Sequence, residues 1–134
     1  MKPDNIEIDQ LVKSFFSVFT NVNGHTPDFT LIFQLCIPAA VIIKKSGLQE
    51  EIYNLQTFIA PRKQLLTDGR LTDFEEKETS GITQVLGNIA QRTSKYVKHG
   101  LLNGAEFSGR GNKLFQFIKT TTGWKIAAVV WEDE

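Results

Sequence analysis

An α+β domain is the fold class that this 134-residue sequence predicts. Three observations carry the expectation. Apolar residues recur at helical spacing through much of the first half, long strand-like runs fill the second half, and glycine-containing turn signals separate those runs. The length fits a single domain over residues 1–134. No internal repeat, low-complexity tract or linker divides it.

The first helix is expected from about Ile6. Asp4 is placed to cap it, with Glu7 three residues on in the manner of a capping box. Ile8, Leu11, Val12, Phe15, Phe19 and Val22 follow at helical spacing, and Asn23-Gly24 ends the run. A second, shorter helix is expected after Thr26-Pro27-Asp28, where a cap residue, a proline suited to the first turn and an acid on the helix dipole stand in order. Phe29, Ile32 and Phe33 form its apolar side, and Pro38 is expected to stop it.

Ala39 to Lys45 then reads as a strand, Ser46-Gly47 as a hairpin turn and Leu48 to Tyr53 as the returning strand. Asn54 caps a third helix with Leu55, Phe58, Ile59, Leu65 and Leu66 on one face. Pro61 is expected to kink it and Asp68-Gly69 to close it. The remainder reads as an antiparallel meander. Strands run from Leu71 to Leu86, Ile89 to Gly100, Glu106 to Thr120 and Trp124 to Trp131. Gly87-Asn88 is the first turn, Leu101 to Gly104 a loop, and Thr121-Thr122-Gly123 a three-residue hairpin loop. A bulge is expected at Gly109-Arg110-Gly111, and Glu132-Asp133-Glu134 reads as a solvated end.

The last hairpin bears on assembly. A three-residue loop pairs Thr120 with Trp124, Ile118 with Ile126, Gln116 with Ala128 and Leu114 with Val130. Phe115, Phe117, Ala127, Val129 and Trp131 then share the opposite face. Both faces are apolar, whereas a sheet with one wet face alternates. Three helices cover one face, so a homodimer through the sheet is the simplest second cover. The expected shared face is Leu114, Gln116, Ile118, Trp124, Ile126, Ala128 and Val130. The opposite parity, with Phe115 and Trp131 outside, stays open.

Composition narrows the function classes. Fifteen Lys and Arg balance fifteen Asp and Glu, which argues against general electrostatic binding of nucleic acid or an anionic membrane. Residues 91–125 hold seven Lys/Arg and one Glu, but the nearby aromatics alternate into strand faces that read as buried. The polar start, Met1-Lys2-Pro3-Asp4-Asn5, shows no signal-peptide apolar region, and the longest apolar run, Cys36 to Ile43, contains Pro38 and is too short to span a bilayer. A cytoplasmic protein is the expectation. The single Cys36 sits in an apolar stretch and reads as a buried small hydrophobe. His25 and His99 belong to no local ligand set, so no metal is expected.

The order helix, helix, hairpin, helix and four antiparallel strands resembles the nuclear transport factor 2-like superfamily, which includes SnoaL-like cyclases, ketosteroid isomerases and scytalone dehydratase. The resemblance covers nearly the whole chain. It is carried by Phe58-Ile59-Ala60-Pro61-Arg62, Ile89-Ala90 and Gly123-Trp124-Lys125-Ile126, with the Trp131-Glu132-Asp133 end also similar. It implies a cone, a curved antiparallel sheet of about six strands wrapped around the three helices, with an apolar pocket inside. The superfamily holds enzymes, binding modules and proteins without assigned activity, so the fold does not choose among them.

Candidate residues come from faces and spacing. Arg62 lies on the apolar face of its helix, seven after Leu55 and three before Leu65, and points toward the sheet. It reads either as a clamp for a carboxylate or phosphate, as an internal partner of Glu76 or Glu78, or as a side chain that snorkels to solvent. Alternation places Glu76 and Glu78 on one face of their strand, with Glu75 and Lys77 on the other. Arg92, Ser94 and Tyr96 share a face of the next strand, a row of polar groups able to orient a ligand, and that row is taken as the inward one. Gly109-Arg110-Gly111-Asn112 lacks the strand-to-helix context of a phosphate loop.

The expected ligand-binding set is Arg62, Glu76, Arg92, Ser94, Tyr96 and Trp131, and an acid/base set would draw on Glu78, Tyr96 and His99. A small-molecule pocket protein, with an organic anion as ligand and no cofactor, is the leading functional expectation. A small isomerase, dehydratase or hydrolase and a protein-interaction module are the alternatives.

Overall fold

Ile8, Leu11, Val12, Phe15 and Phe16 fall on one side of a helix over Asp4–Ser17 (α1), and all five are buried. The structure, a computed structural model, describes residues 3–134; Met1 and Lys2 of the polar N-terminal stretch lie outside the described residues. α1 ends earlier than Val22, in successive turns that close with Thr20 N–H donating to the Ser17 carbonyl. Its N-cap is Pro3, with no side-chain cap. Asp4 and Glu7 do not form a capping box. Glu7 accepts from the Trp124 backbone N–H, and Asp4 accepts from the Trp124 indole and Lys119. The two acids thus tie the start of α1 to the last hairpin.

The second helix is shorter than expected. A single 3-10 turn over Phe29–Leu31, capped by the Asp28 carboxylate, leads into α2 (Ile32–Leu35). The chain is already extended at Cys36, and Pro38 lies inside strand β1 (Cys36–Ser46). β2 (Gln49–Tyr53) returns across a Gly47-Leu48 turn. Asn54 caps α3 (Leu55–Thr67) in a reciprocal capping box with Thr57, and the helix runs on as one element through Pro61. β3 (Leu71–Leu86), β4 (Ile89–Leu102), β5 (Ala105–Thr120) and β6 (Gly123–Asp133) complete the chain. β4 runs two residues past Gly100, and Asn103-Gly104, both at positive φ, form the tight turn where a longer loop was expected.

The six strands form one curved, open sheet in the order β2-β1-β6-β5-β4-β3. Every neighbouring pair is antiparallel except β1 with β6. Register breaks in β3, between Thr72 and Glu75 and between Glu78 and Ser80, insert unpaired residues, which bend a strand and raise its twist. The bulge expected at Gly109-Arg110-Gly111 is absent, since that stretch pairs in continuous register with β4. Gly111 serves close approach instead: a Cβ there would collide with the Tyr96 hydroxyl and the Glu132 carbonyl.

The closing hairpin corrects the expected assembly face. Its loop has two residues, so Thr120 pairs with Gly123, Ile118 with Lys125 and Phe117 with Ile126. A break between Gln116 and Phe117 leaves Ala127 unpaired and restores the expected Gln116–Ala128 and Leu114–Val130 pairs. The extra residue reverses the parity of the start of β6. Trp124 and Ile126 therefore point into the core, with Phe115, Phe117, Val129 and Trp131, and do not belong to the outer face.

Phe15 is the hub of that core. Its ring meets Phe16, Phe19 and Phe115 edge-on, and Phe58 continues the edge-on contacts from Phe19 to Tyr53 and Trp131. Asn21 locks the junction of α3 and β3. Its side-chain amide donates to the Leu66 and Leu71 carbonyls and its oxygen accepts from the Phe74 N–H. Cys36 is buried, and burial pushes its thiol up to about 12, which leaves it an unreactive apolar side chain. Among the described residues, no helix is long and apolar enough to cross a membrane.

Candidate ligand pocket

The helices do not fill the cone. A cavity of about 370 Å³ remains between α1, α3 and the sheet strands β1, β3, β4, β5 and β6. Its walls are mostly rings and aliphatic groups, including Phe19, Phe58, Leu65, Phe74, Phe107 and Trp131. Six charged side chains interrupt them: Lys44, Arg62, Lys98 and Lys113 against Glu76 and Asp133. Four cations facing two carboxylates in an apolar, half-enclosed space favour an anionic occupant.

Three of the cations already have carboxylate partners. Lys113 Nζ lies 2.8 Å from Glu76; the lysine is buried and the carboxylate half-buried. Burial drives the Lys113 ammonium below its usual range, with Glu76 opposing the shift. Asp133 takes Lys98 at 2.8 Å and Lys44 at 3.8 Å, and accepts the Tyr96 hydroxyl. Burial alone would raise Asp133, but the Lys98 ammonium and Tyr96 hydroxyl hold it below the usual carboxylate range.

Arg62 is different. Among the described residues, no carboxylate lies within 4.0 Å of its guanidinium. Its Nη1 donates to the Phe58 carbonyl at 3.0 Å. Its charge stands 4.0 Å above the Phe58 ring and within reach of the Tyr53 and Trp131 rings, at 5.2 and 5.6 Å. Burial lowers its pKa, with Tyr53 and, at longer range, Glu51 and Glu76 opposing. Its five N–H donors meet the Phe58 carbonyl and the Tyr53 side chain but no carboxylate among the described residues, which leaves the planar fork able to take one.

Of the residues proposed from sequence, Arg62, Glu76 and Trp131 meet in this cavity. The expected ion pair of Arg62 with Glu76 or Glu78 does not form, because Glu76 holds Lys113 and Glu78 holds Arg92. Arg92, Ser94 and Glu78 do share an inward face, but as a separate structural knot beneath α1. Arg92 donates to both Glu78 oxygens, to Asp9 at 2.6 Å and to Thr83 at 2.7 Å, and Ser94 donates to Glu78. Glu78 is the main cause of an Arg92 pKa raised above its ordinary value. Tyr96 is fully buried at the same depth, with burial and then Asp133 raising its pKa, and its hydroxyl is held by Asp133.

His99 lies on the outer face, exposed, with Nε2 3.5 Å from Glu75. It borders a wider, open hollow of about 660 Å³ outside the cone, with Asp73, Glu106 and Ser108. Glu78, Tyr96 and His99 are therefore not assembled into one acid/base set.

Lys113, Lys98 and Asp133 were missed. Asp133 in particular corrects the reading of the C-terminal acids as a solvated end, since its carboxylate forms part of the cavity wall. A signal existed for all three. Lys113 stands two residues before Phe115, Asp133 two after Trp131 and Lys98 two after Tyr96, each on the inward parity of its strand.

No protein-family model and no curated protein matches the sequence. Solved structures do resemble the fold. A protein of Kribbella flavida superimposes with a TM-score of 0.80 at 15% identity, covering 98% of this chain and 90% of that one. A nuclear transport factor 2-like superfamily protein of Salmonella enterica superimposes at 0.76 with 18% identity, over 94% of this chain and 87% of that one. A nuclear transport factor 2-like protein with a cystatin-like fold from Novosphingobium aromaticivorans gives 0.74 at 16% identity, over 96% and 80%. At these identities the likeness speaks for architecture alone, and the architecture of this chain is the nuclear transport factor 2-like, cystatin-like fold.

Proposed function

We propose that the cone pocket binds a small organic anion, with Arg62 as the receptor for its carboxylate. The observation that carries this reading is a guanidinium with no carboxylate partner among the described residues, set among aromatic faces at the wall of an apolar cavity. A planar carboxylate fits both features, its charge on Arg62 and its ring against Phe58 and Trp131. Binding is favoured over turnover because Glu78, Tyr96 and His99 occupy separate environments. The outer sheet face is proposed to carry a second copy of the chain. Leu114, Val130 and Ile89 stand exposed there.

Benzoate titrated into the wild-type protein and Arg62→Leu, followed by calorimetry and thermal melts, tests the pocket. The wild type should bind and melt higher with benzoate, while benzyl alcohol has little effect. Arg62→Leu should fold with stability within about 1 kcal/mol, since no carboxylate is stranded, and should lose the benzoate response. An unchanged response in the variant would remove Arg62 from the site.

A further inference from the structure

We infer that the pocket is a two-point site for small oxo acids, in which Arg62 holds the carboxylate and the Lys113 amine condenses with the carbonyl group. This rests on the anion-binding reading and names the ligand class for the same cavity. Both cations stand close to one ring. The Arg62 guanidinium carbon lies 5.6 Å and Lys113 Nζ 4.8 Å from the centre of Trp131. Both line the same cavity as that indole, so an occupant beside it stands near both charges. Lys113 is the deepest of the cavity's cations, its side chain 6% exposed. Its ammonium is also 4.2 Å from the Tyr96 ring and 5.6 Å from that of Phe16. An amine enclosed by aromatic faces loses much of the solvation that favours its charged form, the setting in which lysine becomes a nucleophile.

Glu76 supplies the proton acceptor, 2.8 Å from Nζ. The other charges facing the amine are Asp133, which favours its protonated form, and Lys98, which opposes it. Glu76 takes one proton from the ammonium, and the freed lone pair bonds to the carbonyl carbon. A proton passes from nitrogen to the former carbonyl oxygen, giving a neutral carbinolamine. Glu76 then returns its proton to that hydroxyl, which leaves as water while the nitrogen lone pair closes the carbon–nitrogen double bond. The products are a protonated imine, a carboxylate on Glu76 and one water. No oxidant or reductant enters, and hydrolysis reverses the steps.

The test uses the wild-type protein with 4-carboxybenzaldehyde or benzaldehyde and cyanoborohydride, which reduces an imine to a stable amine. Intact mass and peptide mapping then locate the adduct. The expected result is a first adduct on Lys113, formed about tenfold faster with the carboxylated aldehyde; Arg62→Leu should abolish that preference but leave Lys113 reactive. Labelling confined to exposed lysines would overturn the inference. Equal labelling of Lys113 by both aldehydes would overturn the two-point form of it. If benzoate binds through Arg62 while Lys113 stays unlabelled, only the condensation falls. If benzoate fails to bind at all, the anion reading falls on its own evidence.

Discussion

Lys113 is tolerated in the core because Glu76 and three aromatic faces replace its water. Removing one partner leaves the other's charge unpaired, fully buried for Lys113 and half-buried for Glu76. Lys113→Met or Glu76→Leu alone should lower stability by about 3–5 kcal/mol in urea unfolding, whereas the double change should be neutral or stabilising by about 1–4 kcal/mol. Additive losses would show that the pair is not coupled. Asp133 predicts a pH dependence. Its native pKa is lowered, so its contribution is full above the unfolded value of about 3.9 and is lost as pH falls through the lower native value. The stability gap between wild type and Asp133→Asn should therefore be largest near neutrality and shrink below about pH 4. At this scale sequence reading reached Arg62 through helical spacing but passed over Lys113 and Asp133. A lone lysine between Asn112 and Leu114, and an acid in a terminal acidic run, look solvated unless the strand parity is followed through them.

The strands from Leu71 onward were legible almost to the residue, because alternation and glycine turns are local signals. The start of α1 was not. Asp4 and Glu7 match a local cap, yet their partners are Trp124 and Lys119 at the other end of the chain, which no local pattern displays. The bulge at Ala127 was equally hidden, since Ala127 and its neighbour Ala128 carry no size difference to mark the parity change. Gly111 is the element-level position most open to test. Alanine there meets the Tyr96 hydroxyl and the Glu132 carbonyl, so β5 and β6 must separate locally. Gly111→Ala should cost about 1–3 kcal/mol by thermal or urea unfolding. Gly109→Ala, on the same strand, is the matched control, because it too lies outside positive φ and its Cβ would meet only the flexible Lys98 side chain. Equal losses in the two variants would show that the close approach at Gly111 contributes nothing.

The whole molecule is a cone with a charged, partly open interior and a mixed apolar outer face. The order of elements was enough to anticipate the fold, because two helices, a hairpin, a helix and a four-stranded meander admit few ways to bury their apolar faces. The interior was only half legible, since a cavity is what side chains fail to fill and has no sequence pattern of its own. For the outer face, light scattering at micromolar concentration should give twice the chain mass, and Leu114→Glu should shift it to the monomer; a wild-type monomer would contradict the proposed second copy. The pocket itself is tested most directly by a crystal structure of the protein grown with benzoate. The account predicts density inside the cone, the carboxylate on the Arg62 guanidinium and the ring against Phe58 and Trp131. Benzoate bound elsewhere, or a cone collapsed onto its own side chains at saturating benzoate, would contradict it.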